Sequence, residues 1–263
     1  MARPTPRLVA ALLIVACGSV HAATYVPLPG GDFDSVLPQN ASGLPQRVRI
    51  APFALRTTPV TIGDFLMFLQ THAAWRKGRA PEIFAGPAYL ADWVDALHAN
   101  PQASTEAPVV GVSWFAARAY CESEGARLPT WLEWESAAAA DATRADARDD
   151  PQWRQRILAW YEQPTTQVLP AVGSPPDVHG VRDLHGLIWE WVDDFNALFI
   201  SGDSRTQGDP DKQTFCGAGA ISIIRRDSYA VLMRVALLSS LNGADATGSL
   251  GFRCARPLNG ETQ

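Results

Sequence analysis

The chain has 263 residues, a formal net charge of −5 and 47% hydrophobic residues, a length that can bury a real core in one large domain or two small ones. An acidic balance with no basic stripe excludes the charge pattern of a nucleic-acid binder or of a protein held on an anionic membrane surface. Nine tryptophans beside twenty prolines and twenty glycines point to an irregular, loop-rich fold pinned by aromatic packing.

In chain order, residues 1–22 read as a signal peptide. Arg3 and Arg7 form a positive start, Leu8 to Ala16 is unbroken apolar sequence, and Val20-His21-Ala22 puts small residues where a signal peptidase cuts. The apolar run is shorter than the roughly 20 residues that span a bilayer, so no transmembrane segment is expected. Cleavage after Ala22 predicts a periplasmic or secreted protein of residues 23–263. The alternative is a lipoprotein, because Ile14-Val15-Ala16-Cys17 also reads as a lipobox with Cys17 lipidated. The mature chain keeps Cys121, Cys216 and Cys254, enough for one intramolecular disulfide and one spare thiol.

Leu28 to Phe33 predicts a strand–turn–strand opening and Arg47 to Leu55 a further strand. Thr61 with Asp64 predicts a helix cap, followed by Ile62, Phe65, Leu66 and Leu69 at helical spacing. Residues 76–107 read mostly as loop. Ser113 caps the next helix, with Trp114, Ala117, Tyr120 and Cys121 inward, and Gly125 stops it. Thr130 with Glu133 is a capping box for another. After a charged excursion from Asp141, Asp150-Pro151 begins a helix with Trp153, Ile157 and Trp160 inward. Beyond Gly173 short strands and turns are expected, with a polar loop at 201–213 that is solvated or holds a cation. No repeat or linker is visible, and one domain over 23–263 is the simpler reading.

Several separated stretches resemble the formylglycine-generating enzyme family, also called sulfatase-modifying factors. They are Pro59-Val60-Thr61 with Phe65 and Phe68, Val110-Gly111-Val112-Ser113-Trp114 with Ala119-Tyr120-Cys121, and Arg127-Leu128-Pro129-Thr130 with Glu133-Trp134-Glu135. Asp183-Leu184-His185-Gly186 with Trp189-Glu190-Trp191, and Gly251-Phe252-Arg253-Cys254, complete the order. The resemblance implies an irregular α+β fold with C-type-lectin-like features and little regular secondary structure. It pairs Cys121 with Cys254, leaving Cys216 as the odd thiol.

Enzymes of this family oxidise a client cysteine with copper(I) held by two cysteines, and soft thiolates suit that ion. Counted back from Gly251, the two positions fall on Arg225 and Ala230, and a guanidinium cannot replace a thiolate. Copper(I) and formylglycine formation are therefore not expected. The resemblance also implies a calcium position at Glu190 with backbone carbonyls at Gly186 and Ile188. Leu187 stands there for an asparagine, and Glu190 reads more simply as a buried acid paired within the Trp189/Trp191 core. His179 and His185 flank Asp183 as a weak metal pattern, and Arg253 reads as structural.

Cys216, Ser222, Arg225, Ser228, Tyr229 and Arg234 are the candidate groove, where arginines suit a carboxylate or phosphate. Ser228 has no histidine nearby to make it a hydrolase nucleophile, and Cys216 is either a reactive thiol or a buried inert one. The Phe215–Gly219 stretch is similar to a subgroup that serves as accessory proteins to periplasmic copper nitrite reductases; other relatives assist siderophore maturation. Three function classes follow: a maturation accessory that binds an exported protein or peptide, a metal-dependent oxidoreductase of the same superfamily, and a formylglycine-generating enzyme proper. The first fits best.

Overall fold

The computed structural model describes residues 23–38, 45–162, 168–198 and 229–258. The fold is α+β, with five α-helices and seven short strands among these residues. Strands β1 (Tyr25–Leu28), β4 (Phe53–Arg56) and β7 (Ala255–Pro257) form an antiparallel sheet with β4 in the middle. Strands β2 (Gly31–Pro38) and β3 (Pro45–Ile50) pair as an antiparallel ribbon, while β5 (Trp189–Glu190) and β6 (Leu250–Gly251) pair in parallel.

The turn between β1 and β2 needs Gly30. Its φ is +64°, and a side-chain carbon there would lie 2.3 Å from the Ile50 carbonyl oxygen. The single strand expected from Arg47 to Leu55 is instead two strands in different sheets. Pro52 has no N–H to give a ladder, so β3 stays with β2 and β4 crosses into the other sheet. All four β4 residues are buried, as expected for a strand covered on both faces.

Helix α1 (Ile62–Thr71) starts at the Thr61/Asp64 capping box and buries Ile62, Phe65, Phe68 and Leu69. Phe68 thus takes the buried place expected of Leu66, which is only partly covered. Helix α2 (Trp114–Ser123) is capped by Ser113, which accepts from the Ala116 N–H. It ends where Gly125 takes a φ of +65°. Helix α3 (Trp131–Ala138) carries the Thr130/Glu133 box, and α4 (Pro151–Tyr161) is capped by Asp150 with proline in its first turn. Trp153 and Ile157 of α4 are buried; Trp160 is half-buried.

Helix α5 (Tyr229–Ser239) departs from the expectation of strands and turns beyond Gly173. Its buried residues Val231, Arg234, Val235 and Leu238 follow helical spacing. An arginine in that row disguises the apolar stripe.

Most buried apolar side chains form one contiguous cluster. Its tryptophans are oriented by their indole N–H groups: Trp191 donates to the Val112 carbonyl, Trp131 to Glu135 and Trp134 to Glu190. A Cys121–Cys254 disulfide ties α2 to the segment before β7, with Cα atoms 5.5 Å apart. Among the described residues no helix is long and apolar enough to cross a membrane.

Candidate functional site

Strand β5 sets the centre of the site. Glu190 pairs with Gly251 across the parallel β5–β6 ladder. A side-chain carbon at Gly251 would fall 2.2 Å from the Val109 carbonyl oxygen, so only glycine lets the strands come this close. Glu190 is fully buried. Its Oε1 accepts from Arg253 Nη2 at 2.8 Å, and its Oε2 accepts from Arg253 Nε and Trp134 Nε1, each at 2.9 Å. Arg253, equally buried, gives its other hydrogens to the backbone carbonyls of Arg56, Thr57 and Arg182. One ion pair therefore joins β4, β5, the Arg182 segment and the strand preceding β7.

A second guanidinium lies against this pair. Arg234 of α5 is 1% exposed; its Nη2 donates to the Glu190 carbonyl at 2.6 Å, and its Cζ sits 3.5 Å from the centre of the Trp134 ring. Burial pulls its pKa down to about 10, with Glu190 and Tyr161 opposing the shift. It stays protonated at neutral pH, so the core holds two guanidinium groups around one carboxylate. Arg234 Nε has no hydrogen-bond partner. Arg234, which reads as groove-lining in the sequence, is thus a core residue, because its place in the α5 stripe turns it inward.

The calcium position can be tested against these contacts. Both Glu190 oxygens are engaged by donors, Leu187 offers no side-chain oxygen, and two guanidinium groups flank the carboxylate. Calcium needs six or more oxygen ligands, and the residues present do not fit it. Calcium addition and chelation by EGTA are expected to leave the melting temperature of the purified protein unchanged. A calorimetric scan showing a rise of several degrees with calcium would overturn that reading.

The histidine pattern is not assembled as a metal site. His185 Nε2 lies 2.8 Å from the Ala138 carbonyl oxygen, and the ring meets Trp134 and Trp153 edge-on. Burial lowers its pKa to about 4, which keeps the imidazole neutral. Asp183, at a φ of +62°, spends both carboxylate oxygens on the N–H groups of Gly173 and Ser174. Among the described residues no three His, Cys, Asp or Glu side chains gather as metal ligands.

Of the expected groove, Cys216, Ser222, Arg225 and Ser228 lie outside the described residues, as do the signal peptide and the 201–213 loop. Tyr229 opens α5. What sequence reasoning missed is the Arg234–Trp134 stack. The available signal was the spacing of Val231, Arg234, Val235 and Leu238.

Comparison with known proteins places this geometry. Residues 15–258 match the Sulfatase-modifying factor enzyme 1-like domain. The chain is 30% identical to a formylglycine-generating enzyme of Streptomyces coelicolor, with 88% of each chain covered. It is 28% identical to the inactive C-alpha-formylglycine-generating enzyme 2 of Bos taurus, over 90% of this chain and 89% of that one. The solved structure of PvdO from Pseudomonas aeruginosa superposes with a TM-score of 0.50 at 19% identity, covering 89% of this chain and 94% of that one, a likeness of fold alone.

Proposed function

The chain belongs to the sulfatase-modifying factor enzyme 1-like family, and from that premise we propose that it is an exported binding or maturation module that does not generate formylglycine with copper. The observation that carries this reading is the allocation of its thiols. The whole sequence has four cysteines; Cys121 and Cys254 are joined to each other, and Cys17 lies in the signal peptide. Cys216 then remains alone in the mature chain, and a copper(I) site of the family's kind needs two thiolates. Arg225 and Ala230 occupy the positions where that pair would fall.

On this reading the protein acts on an exported protein or peptide by holding it, with the arginines near Arg225 suited to carboxylate or phosphate groups. The Glu190–Arg253 pair braces the strands beneath. Resemblance to an inactive relative as well as to active enzymes is compatible with loss of chemistry on a retained scaffold.

The test is metal content and turnover measured together. The mature protein, purified from the exported fraction, should bind no stoichiometric copper after anaerobic copper(I) loading. It should also leave a cysteine-containing client peptide unchanged in mass. Copper retained by the protein and lost in Cys216→Ser would support the oxidoreductase class instead, and aldehyde formation on the peptide would refute the proposal.

A further inference from the structure

We propose that the groove between α4 and the 174–186 segment binds a small hydroxylated aromatic carboxylate. Its volume is about 320 Å³, at the lower end of small-ligand sites and sized for one ring with a short side chain. The helix that walls it is amphipathic in an unusual way. Trp153, Arg156, Ile157 and Trp160, at helical spacing along α4, all line the groove. Pro175 and Pro176 face them. Two indoles opposite two prolines make flat, rigid apolar walls that suit an aromatic ring.

Two polar groups give the groove its direction. His185 lies at the Trp153 end, its ring 5.7 Å from that indole. Its Nε2–H donates to the Ala138 carbonyl, which makes Nδ1 the acceptor nitrogen. Nδ1 is out of contact with solvent and has no partner. Leaving a buried acceptor unmet costs about 1–3 kcal/mol, and a ligand hydroxyl would meet it. Because burial keeps this imidazole neutral, the acceptor persists across the physiological range.

Arg156 supplies the other end. It is exposed, and among the described residues it makes no ion pair or hydrogen bond. The acids lining the groove are differently placed. Asp141 is held by Arg144 and Thr143, Asp183 accepts from two backbone N–H groups, and Asp177 Oδ1 accepts from His179 and Val181. The uncommitted charge on the α4 wall is thus positive, and a carboxylate complements it. This inference concerns a different face from the Cys216 stretch and does not rest on the proposed maturation role.

The experiment titrates the mature protein with 3-(4-hydroxyphenyl)propionate, followed by tryptophan fluorescence and ligand-observed NMR. Two probes each lack one end: 3-phenylpropionate has no hydroxyl and 4-ethylphenol no carboxylate. Saturable binding of the complete probe is expected, weakened about tenfold for each truncated one, as loss of one net hydrogen bond or ion pair implies. Arg156→Ala should abolish the advantage of the acid over 4-ethylphenol while leaving the fold intact. His185→Phe should abolish the advantage of the hydroxyl; if that variant does not fold, the Arg156→Ala comparison decides alone. No saturation at millimolar concentration, equal affinity for all three probes, or indifference to Arg156→Ala would each overturn the proposal.

Discussion

Replacing Arg253 by leucine should destabilise the protein by roughly 3–5 kcal/mol, the range for removing one partner of a buried ion pair. The reason is the company Glu190 keeps. With Arg253 gone, a fully buried carboxylate retains only the Trp134 indole as a side-chain donor, and the carbonyls of Arg56, Thr57 and Arg182 lose their shared guanidinium. Arg253→Lys should cost less but still well above 1 kcal/mol, because an ammonium keeps the charge and cannot reproduce the bidentate contact. Replacing both residues, Arg253→Leu with Glu190→Leu, should recover part of the loss, since no charge is then stranded. The carbonyls keep that recovery incomplete. Urea melts of the four variants measure the coupling. An Arg253→Leu protein within about 1 kcal/mol of the parent would show that the pair is not what holds the strands together.

How this pair came to be readable in part shows where sequence reasoning reaches. Glu190 between two tryptophans already reads as a buried acid, and Arg253 as structural. Their meeting does not, because 63 residues separate them and no local spacing encodes a contact made through β5–β6 pairing. The caps at Thr61, Ser113, Thr130 and Asp150 were legible in full, since each is written within four residues. Helix α5 was not. Arg234 interrupts its apolar row, and a buried arginine is legible only once the Trp134 face that covers it is known. The split between β3 and β4 was available from Pro52 alone. The groove beside α4 was hidden for another reason. The spacing of Trp153, Ile157 and Trp160 showed an inward face, but only the chain returning at 174–186 converts part of that face into a wall.

The same division between local and distant information governs the largest effect expected outside the ion pair. Reducing the Cys121–Cys254 disulfide, or replacing both cysteines by alanine, should lower stability by about 5 kcal/mol at the entropic limit. The cross-link joins residues 133 apart, so in the unfolded chain it closes a very long loop, and loops of that length restrict the ensemble most. Native strain or residual structure would reduce the figure. Both sulfurs are buried beside the α2–β7 contact, where Arg127 and Ala255 also bridge through their backbones. The folded protein should therefore resist mild reductant until it opens, and the loss should appear on scanning with a strong reductant or in the double variant. For a domain of this size the expected fall in melting temperature is roughly 10–20 °C. Cys216→Ala should leave the melting temperature close to that of the parent if Cys216 takes no part in the cross-link. A large loss there, with the double variant unaffected, would mean that the bridge uses a different pair and that the thiol left alone in the mature chain is not Cys216.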